Sequence, residues 1–267
     1  MIICFSGTGN SRMVALELQR HLGGDVVSLD GALLLNPSGT VLEVPQGEDV
    51  VWVFPVYSWG VPPVVARFIR RSKIKGAHQC RHFMVCTCGD DIGRADDRWR
   101  NLIGRRGWSP RGAFSVIMPN TYVCMKGFDV DSPELEASKL AAMPARVAEI
   151  VGAMKRGFSG SDVTRGSYAW LKTAVVYPFF KYTCMSPRPF AASDACITCG
   201  LCARECPMGN ITMKDGRPCW GDRCALCLRC YHRCPTGAIA YGKETAGKGH
   251  YHAPAAGIRQ PERLAEI

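Results

Sequence analysis

The sequence has no uninterrupted apolar run of membrane-spanning length. Its longest such stretch, Tyr168 to Met185, is broken by Lys172, Pro178 and Lys181, and a spanning helix needs about 20 consecutive apolar residues. Nor does it open with a charged leader, an apolar core and a cleavage site: Met1-Ile2-Ile3-Cys4-Phe5 leads at once into a glycine-containing turn, and a cytoplasmic location is expected. Acidic residues are in deficit, 23 against 33 lysines and arginines, which points to anionic cofactors or an acidic partner. The cations are scattered, Arg67, Arg70, Arg71, Arg105, Arg106 and Arg111 among them. They form no basic stripe with interleaved aromatics, so no nucleic acid is expected. A Gly-Lys-Ser/Thr loop, the third glycine of a dinucleotide fingerprint and an evident acid–base dyad or nucleophile are all missing. Chemistry on a substrate is therefore expected to happen elsewhere.

What is present is enough for a core and about two domains: 267 residues, 47% of them hydrophobic, a composition that excludes disorder and collagen-like repeats. From the start to Arg156, short β-branched or apolar runs alternate with helical patterns, as repeated βα units around a parallel sheet require. Five strands are predicted, at Ile2 to Phe5, Val26 to Leu29, Val50 to Val56, Phe83 to Thr87 and Phe114 to Met118. Val14, Leu18 and Leu22 mark the first helix. Ser132-Pro133 opens another through Leu140, Met143, Val147, Ile150 and Met154, with Pro144 expected to kink it. Residues 157–193 read as a connection that packs between domains, 194–242 as a compact cysteine-rich module, and 243–267 as a tail. His250 and His252 in that tail lack any ligand pattern.

The 15 cysteines are spread unevenly. Two runs share one spacing: Cys196-x2-Cys199-x2-Cys202-x3-Cys206-Pro207 and Cys224-x2-Cys227-x2-Cys230-x3-Cys234-Pro235. This is the bacterial two-cluster ferredoxin run, in which the fourth cysteine ligates the other cluster. Cys196, Cys199, Cys202 and Cys234 are assigned to one [4Fe-4S] cluster; Cys206, Cys224, Cys227 and Cys230 are assigned to the second. Structural zinc is the alternative, but its ligand pairs are separated by a longer loop. Cysteines 4, 80, 86, 88, 124, 184 and 219 fit no ligand pattern and read as buried apolar residues, Cys88 being a partial exception because of its place after a strand.

Ser6-Gly7-Thr8-Gly9-Asn10-Ser11 follows the first strand and opens the first helix, where backbone N–H groups favour an anion such as phosphate. Ligands of open α/β sheets bind beyond the carboxyl ends of the strands. Three such ends carry suitable residues: Pro55-Val56-Tyr57-Ser58-Trp59-Gly60, Thr87-Cys88-Gly89-Asp90-Asp91-Ile92-Gly93 and Pro119-Asn120-Thr121-Tyr122. Tyr57 or Trp59 could stack on a planar ring there.

On these residues the first 156 positions resemble a flavodoxin, and the whole chain resembles the fused flavodoxin–ferredoxin (EFR-type ferrodoxin) family. The resemblance implies an α/β, flavodoxin-like doubly wound five-stranded parallel sheet of order 2-1-3-4-5, followed by a small α+β ferredoxin-like two-cluster domain. It implies FMN, with its phosphate on Ser6, Gly7, Thr8, Gly9, Asn10 and Ser11. The ring would lie between Pro55, Val56, Tyr57, Ser58, Trp59 and Gly60 on one side and Thr87, Cys88, Gly89, Asp90, Asp91 and Gly93 on the other, near Asn120. With two clusters at about −2 each and FMN at about −2, the formal +10 falls to about +4. Flavodoxins are typically acidic, so the basic balance here is a departure.

The function that follows is electron transfer between two clusters and FMN within one chain, with an acidic redox protein as partner. The alternative is a flavin-dependent oxidoreductase acting on a quinone-like molecule, its pocket built from the aromatic connection and Asn120-Thr121-Tyr122.

Overall fold

The computed structural model describes residues 1–254; the rest of the tail, 255–267, lies outside the described residues. The N-terminal part alternates strands and helices: β1 (Ile2–Cys4), α1 (Asn10–Leu22), β2 (Val26–Ser28), α2 (Gly31–Leu35), β3 (Val41–Glu43), β4 (Val50–Pro55), α3 (Pro63–Arg71), β5 (Lys73–Lys75), β6 (Arg81–Cys88), α4 (Ala95–Gly104), β7 (Ser109–Ile117), α5 (Pro133–Lys155) and β8 (Gly160–Asp162). The main sheet has the order β2-β1-β4-β6-β7-β8, every pairing parallel.

Residue alternation along the strands builds two core layers. Ile3, Phe5, Trp52, Phe54, Met84 and Cys86 face one side, against Leu34, Val65, Phe68 and Trp99 of α2, α3 and α4. Ile2, Cys4, Val51, Val53, Phe83 and Val85 face the other, against Val14 and Leu18 of α1 and Val147 and Ile150 of α5. Burial on both faces explains why these runs read as nearly unbroken apolar sequence. The result is a mostly parallel α/β sheet with helices on both faces, consistent with a flavodoxin-like fold.

The five predicted strands are neighbours in the expected order, but the sheet has six strands, not five. The sixth, β8, comes from the segment read as a connection and pairs Gly112 with Gly160 and Phe114 with Asp162. Gly160-Ser161-Asp162 has no apolar pattern to announce a strand. Arg146 of α5 holds it, donating from Nη2 to the Asp162 carbonyl at 3.0 Å and pairing Nη1 with its carboxylate at 2.9 Å. Pro144 does not end α5, which runs unbroken from Pro133 to Lys155 behind an N-cap in which Ser132 Oγ accepts from the Leu135 amide.

The remaining described chain lies over the carboxyl ends of the strands. A helical run over 169–184 (α6) joins α-turns at Ala169–Leu171 and Tyr177–Phe179 to wider π-type turns at Lys172–Val176 and Phe180–Cys184. Then come β9 (Phe190–Ala192), α7 (Leu201–Arg204), β10 (Ile211–Lys214), β11 (Arg217–Trp220), α8 (Arg229–His232) and β12 (Ile239–Tyr241). β9 pairs antiparallel with β12, and β10 with β11. The stretch 157–193 is therefore shared out: β8 joins the sheet, α6 covers the loops and β9 belongs with the cysteine module. Past β12, Lys248 Nζ donates to the Val123 and Met125 carbonyls at 2.7 and 2.6 Å, and Tyr251 is buried.

One buried titratable group sits inside this scaffold, away from the strand ends. His82 on β6 accepts the Trp52 indole N–H at Nδ1 (3.1 Å), places Nε2 2.8 Å from the Ala77 carbonyl and stacks on Trp108 at 5.0 Å. Burial lowers its pKa from 6.5 to about 4. The unfolded chain takes up this proton first, so the His82 contribution to stability is flat above pH 6.5 and falls as the pH drops toward 4. The expected loss is about 3 kcal/mol, read from urea unfolding across that interval. His232, also buried and lowered to about 4, adds its own fall over the same interval, so a His82→Gln variant should show a fall smaller by about the His82 share; an equally steep profile in the variant would contradict the assignment.

Candidate functional site

The two cysteine runs fold into loops with the same backbone conformation. The residues on either side of the second cysteine are left-handed in both: Thr198 (φ 56°) and Gly200 (φ 67°), Leu226 (φ 50°) and Leu228 (φ 59°). Three of the four carry side chains, at a cost of roughly 1–2 kcal/mol each, so the conformation is held for a reason. Such turns aim successive N–H groups inward as an anion-binding nest. Amides already point at the sulfurs: Asn210 N–H lies 3.3 Å from Cys206 Sγ, and Ala238 N–H lies 3.3 Å from Cys234 Sγ, four residues on in each run.

The fourth cysteines exchange places. One cavity is lined by Cys196, Cys199, Cys202 and, from the other run, Cys234. Cys206 of the first run lies instead within electrostatic reach of Cys224, Cys227 and Cys230. Burial, reinforced by the neighbouring thiols, pushes Cys224 up to about 12 and Cys230 well above its ordinary value. A metal bound by thiols gathered in this way would displace their protons to solvent and neutralise the thiolates. The buried indole N–H of Trp220 faces Cys230 and offsets part of the rise that burial gives its thiol. Among the described residues, no three His, Cys, Asp or Glu groups converge on a single ion. Cys4, Cys80, Cys86, Cys88 and Cys124 are buried, while Cys184 and Cys219 are partly so.

The glycine turn lies directly beneath the second loop. A Cβ on Gly7 would fall 2.6 Å from the Cys227 carbonyl oxygen, so only glycine permits the contact. Arg229, between Cys227 and Cys230, donates to the carbonyls of Ser6 (2.6 Å), Gly7 (2.8 Å) and Glu205 (2.8 Å). Gly9 has φ 118° and caps α1. The side chains of Asn10 and Ser11 are committed to protein: Asn10 donates to the Pro119 carbonyl and accepts from the Tyr251 hydroxyl, and Ser11 Oγ meets Thr87 Oγ1 at 2.7 Å. Thr8 Oγ1 lies 3.5 Å from Thr121 Oγ1.

Beside the turn, on the β1–β2 side, is a cavity of about 740 Å³. Ser6, Gly7, Thr8 and Gly9 line it together with Arg12, Asp30, Cys206 and three arginines of the module, Arg204, Arg229 and Arg233. Arg233 pairs with Glu205 at 2.8 Å. Arg12 donates from Nη1 to Ser28 Oγ, while its Nε is buried with no partner. The cavity is thus cationic and stands at a helix N-terminus, which suits a phosphate-bearing ligand.

The loops assigned to a ring by resemblance are brought together, but protein covers them and neither cavity reaches Trp59, Gly60 or Thr87–Gly93. Ser58 and Trp59 form a tight left-handed turn (φ 44° and 62°), closed by reciprocal 3.0 Å backbone bonds between Tyr57 and Gly60. Pro55 ends β4, and Val56 N–H donates to the Thr87 carbonyl. Tyr57 packs edge-on to Phe5, its phenol pKa raised well above normal by burial and by the nearby Cys227 and Cys224 thiols. Thr173 Oγ1 donates to the Trp59 carbonyl at 2.8 Å, and Lys172 Nζ lies 5.0 Å over the Trp59 ring. A Cβ on Gly60 would run into the Tyr177 ring, and one on Gly89 into the Asn120 amide. Cys88 is buried, its pKa pushed up to about 12 by desolvation. Asp91 pairs with Lys172 at 2.6 Å and accepts from Gly93 N–H, Asp90 is exposed, and Asn120 is held by Asp131.

The loops expected to flank a planar ring are thus neighbours, and protein side chains occupy part of the space around them. The connection read as packing between domains carries an apolar helix whose Thr173, Tyr177 and Phe180 are buried, the first two bonded to the Trp59 and Val61 carbonyls. The residues offered for a small-molecule pocket are packed as well: Tyr122 against Phe128 and Phe180, and the Thr121 carbonyl against His232 Nε2 at 2.8 Å. His232 accepts the Tyr251 N–H at Nδ1 and is held neutral, burial lowering its pKa to about 4. Arg12, Arg229, Thr173, Tyr177, His232 and Tyr251 were not legible as site residues. Only Arg229, set inside a cysteine run, carried any sequence signal.

No family model matches the chain, and no curated protein matches it. Solved structures similar to it include the Trp repressor binding protein from Bacillus subtilis, 11% identical over 55% of this chain and 97% of that one, TM-score 0.33. A flavodoxin from Streptococcus pneumonia TIGR4 is 13% identical over 56% of this chain and 97% of its own, TM-score 0.31. The azoreductase AzrA is 13% identical over 57% and 99%, TM-score 0.34.

Proposed function

We propose that this chain is an electron-transfer protein in which Cys196, Cys199, Cys202 and Cys234 hold one [4Fe-4S] cluster and Cys206, Cys224, Cys227 and Cys230 hold a second. The observation that carries this is the exchange of the fourth cysteines, combined with matched left-handed turns in the two loops. Clusters so ligated supply one-electron transfer at low potential. The protein's own part is to desolvate the thiols, aim amides at their sulfurs and seat the second loop on the N-terminal sheet through Arg229.

FMN fits this chain in part. The backbone of Ser6–Gly9, with Arg12, suits its phosphate, and the cationic cavity beside Cys206 has the size of a cofactor site. The covered loops at Trp59–Gly60 and Thr87–Gly93 do not suit its ring. We therefore assign FMN, which exchanges one or two electrons, to the cavity on the β1–β2 side. Arg204, Arg229 and Arg233 would face it from the module.

The test is to purify the protein anaerobically and quantify iron, acid-labile sulfide and flavin. About eight iron, eight sulfide and one FMN per chain are expected, and zinc in place of iron would refute the cluster assignment. Arg12→Ala should weaken FMN binding about tenfold or more by removing a phosphate-directed cation, with iron unchanged, whereas Trp59→Ala should leave FMN affinity as it is. The reverse pattern would return the ring to the strand-end loops.

A further inference from the structure

We propose that the outer face of α6 is a membrane-docking surface that rests on an anionic lipid bilayer. Two stretches of the chain contain no acidic residue: Val50 to Gly89, with six lysines and arginines, and Val163 to Ser193, with four. The fold lays one against the other. Tyr177 donates its hydroxyl to the Val61 carbonyl at 2.6 Å, Thr173 Oγ1 donates to the Trp59 carbonyl at 2.8 Å, and Arg70 lies within electrostatic reach of Tyr177 and Tyr182.

The helix has two faces. Thr173, Tyr177 and Phe180 are buried against the N-terminal part, while Tyr168, Trp170, Leu171, Val175, Phe179 and Tyr182 face outward, Tyr168 81%, Phe179 63% and Tyr182 77% exposed. Half of the exposed large apolar side chains among the described residues fall in these fifteen positions. Isolated exposed apolar residues need no explanation, but a contiguous aromatic patch marks an interaction surface.

The chemistry of the rim selects the occupant. Lys181 lies over the Tyr182 ring at 4.5 Å, and Arg70 and Arg71 are exposed on α3. Trp and Tyr beside Lys and Arg, on a helix lying flat, form the pattern of interfacial binding, in which the rings enter the headgroup boundary and the cations meet anionic lipid. A second copy of the chain would set these cations against one another. An acidic protein would have to offer an apolar groove and an acidic rim together, whereas an anionic bilayer offers both along the whole face. None of this requires spanning: no helix among the described residues is long and apolar enough to cross a membrane.

The experiment is co-sedimentation of the intact holoprotein with phosphatidylcholine vesicles, with and without phosphatidylglycerol. Wild type should pellet with the phosphatidylglycerol vesicles and release as salt is raised. The double variant Trp170→Ser, Phe179→Ser changes only outward side chains and should partition about tenfold or more weakly, with iron and sulfide contents unchanged. Three outcomes overturn the proposal: no pelleting with either vesicle, equal pelleting of the double variant, or a lipid-free dimer that the double variant abolishes. Specific retention by an acidic protein, without vesicle binding, would likewise reassign the face.

Discussion

Cys234→Ala is expected to lose the same half of the iron as Cys199→Ala, and Cys206→Ala the same half as Cys227→Ala. Sequence proximity alone would pair Cys206 with Cys202 and Cys234 with Cys230. The fold instead puts Cys234 in the cavity of the first three cysteines and Cys206 beside the second three. Each variant should retain about four iron and four sulfide per chain, and the optical and paramagnetic spectra should group the variants by cluster, not by run. The two groups should also differ in stability. Loss of the second cluster frees the Cys227 loop that presses on Gly7 and should loosen the module from the sheet, whereas loss of the first should leave that junction in place. If Cys234→Ala instead resembles Cys227→Ala, the crossed ligation is wrong.

Arg229→Ala should cost about 3–5 kcal/mol, because a half-buried guanidinium that satisfies three carbonyls is removed and those carbonyls are left beneath a protein surface. The three acceptors belong to two parts of the chain, Ser6 and Gly7 in the N-terminal turn and Glu205 in the module. The loss should therefore appear as earlier proteolysis between the parts as well as a lower thermal midpoint. Arg229→Lys should recover little, since an ammonium cannot reproduce the planar fork. Gly7→Ala strains the same contact from the other side, its Cβ meeting the Cys227 carbonyl. The double variant should be less than additive, as expected of residues sharing one junction. A change below about 1 kcal/mol for Arg229→Ala would mean that the module is held elsewhere.

The parallel sheet was legible because its strands are buried on both faces and announce themselves as unbroken apolar runs. β8 was not, because Gly160-Ser161-Asp162 is held by backbone pairing and by Arg146, neither of which leaves a hydrophobic period. The cysteine spacing was legible since ligand geometry is written in local chain length. The glycine turn was found, yet the fate of its side chains was not: Asn10 is claimed by Tyr251, a partner 241 positions away. Tyr57 and Trp59 read as ring-stacking residues because a strand end is where ligands bind, and nothing local reveals that α6 and the Cys227 loop lie over them.

Composition, strand periodicity and the two four-cysteine spacings determined by themselves the α/β class, the positions of the five strands read as apolar runs and the two candidate ligand sets, since each depends on interactions within a few residues or on burial that those strands record in their own pattern. The covering of the strand ends, the cationic cavity displaced to the β1–β2 side and the outward aromatic face of α6 were decided only by tertiary structure. They arise from packing between segments from 75 to more than 200 residues apart. A residue's chemistry is written in the sequence, but the neighbour that takes up its hydrogen bond or covers its ring is not.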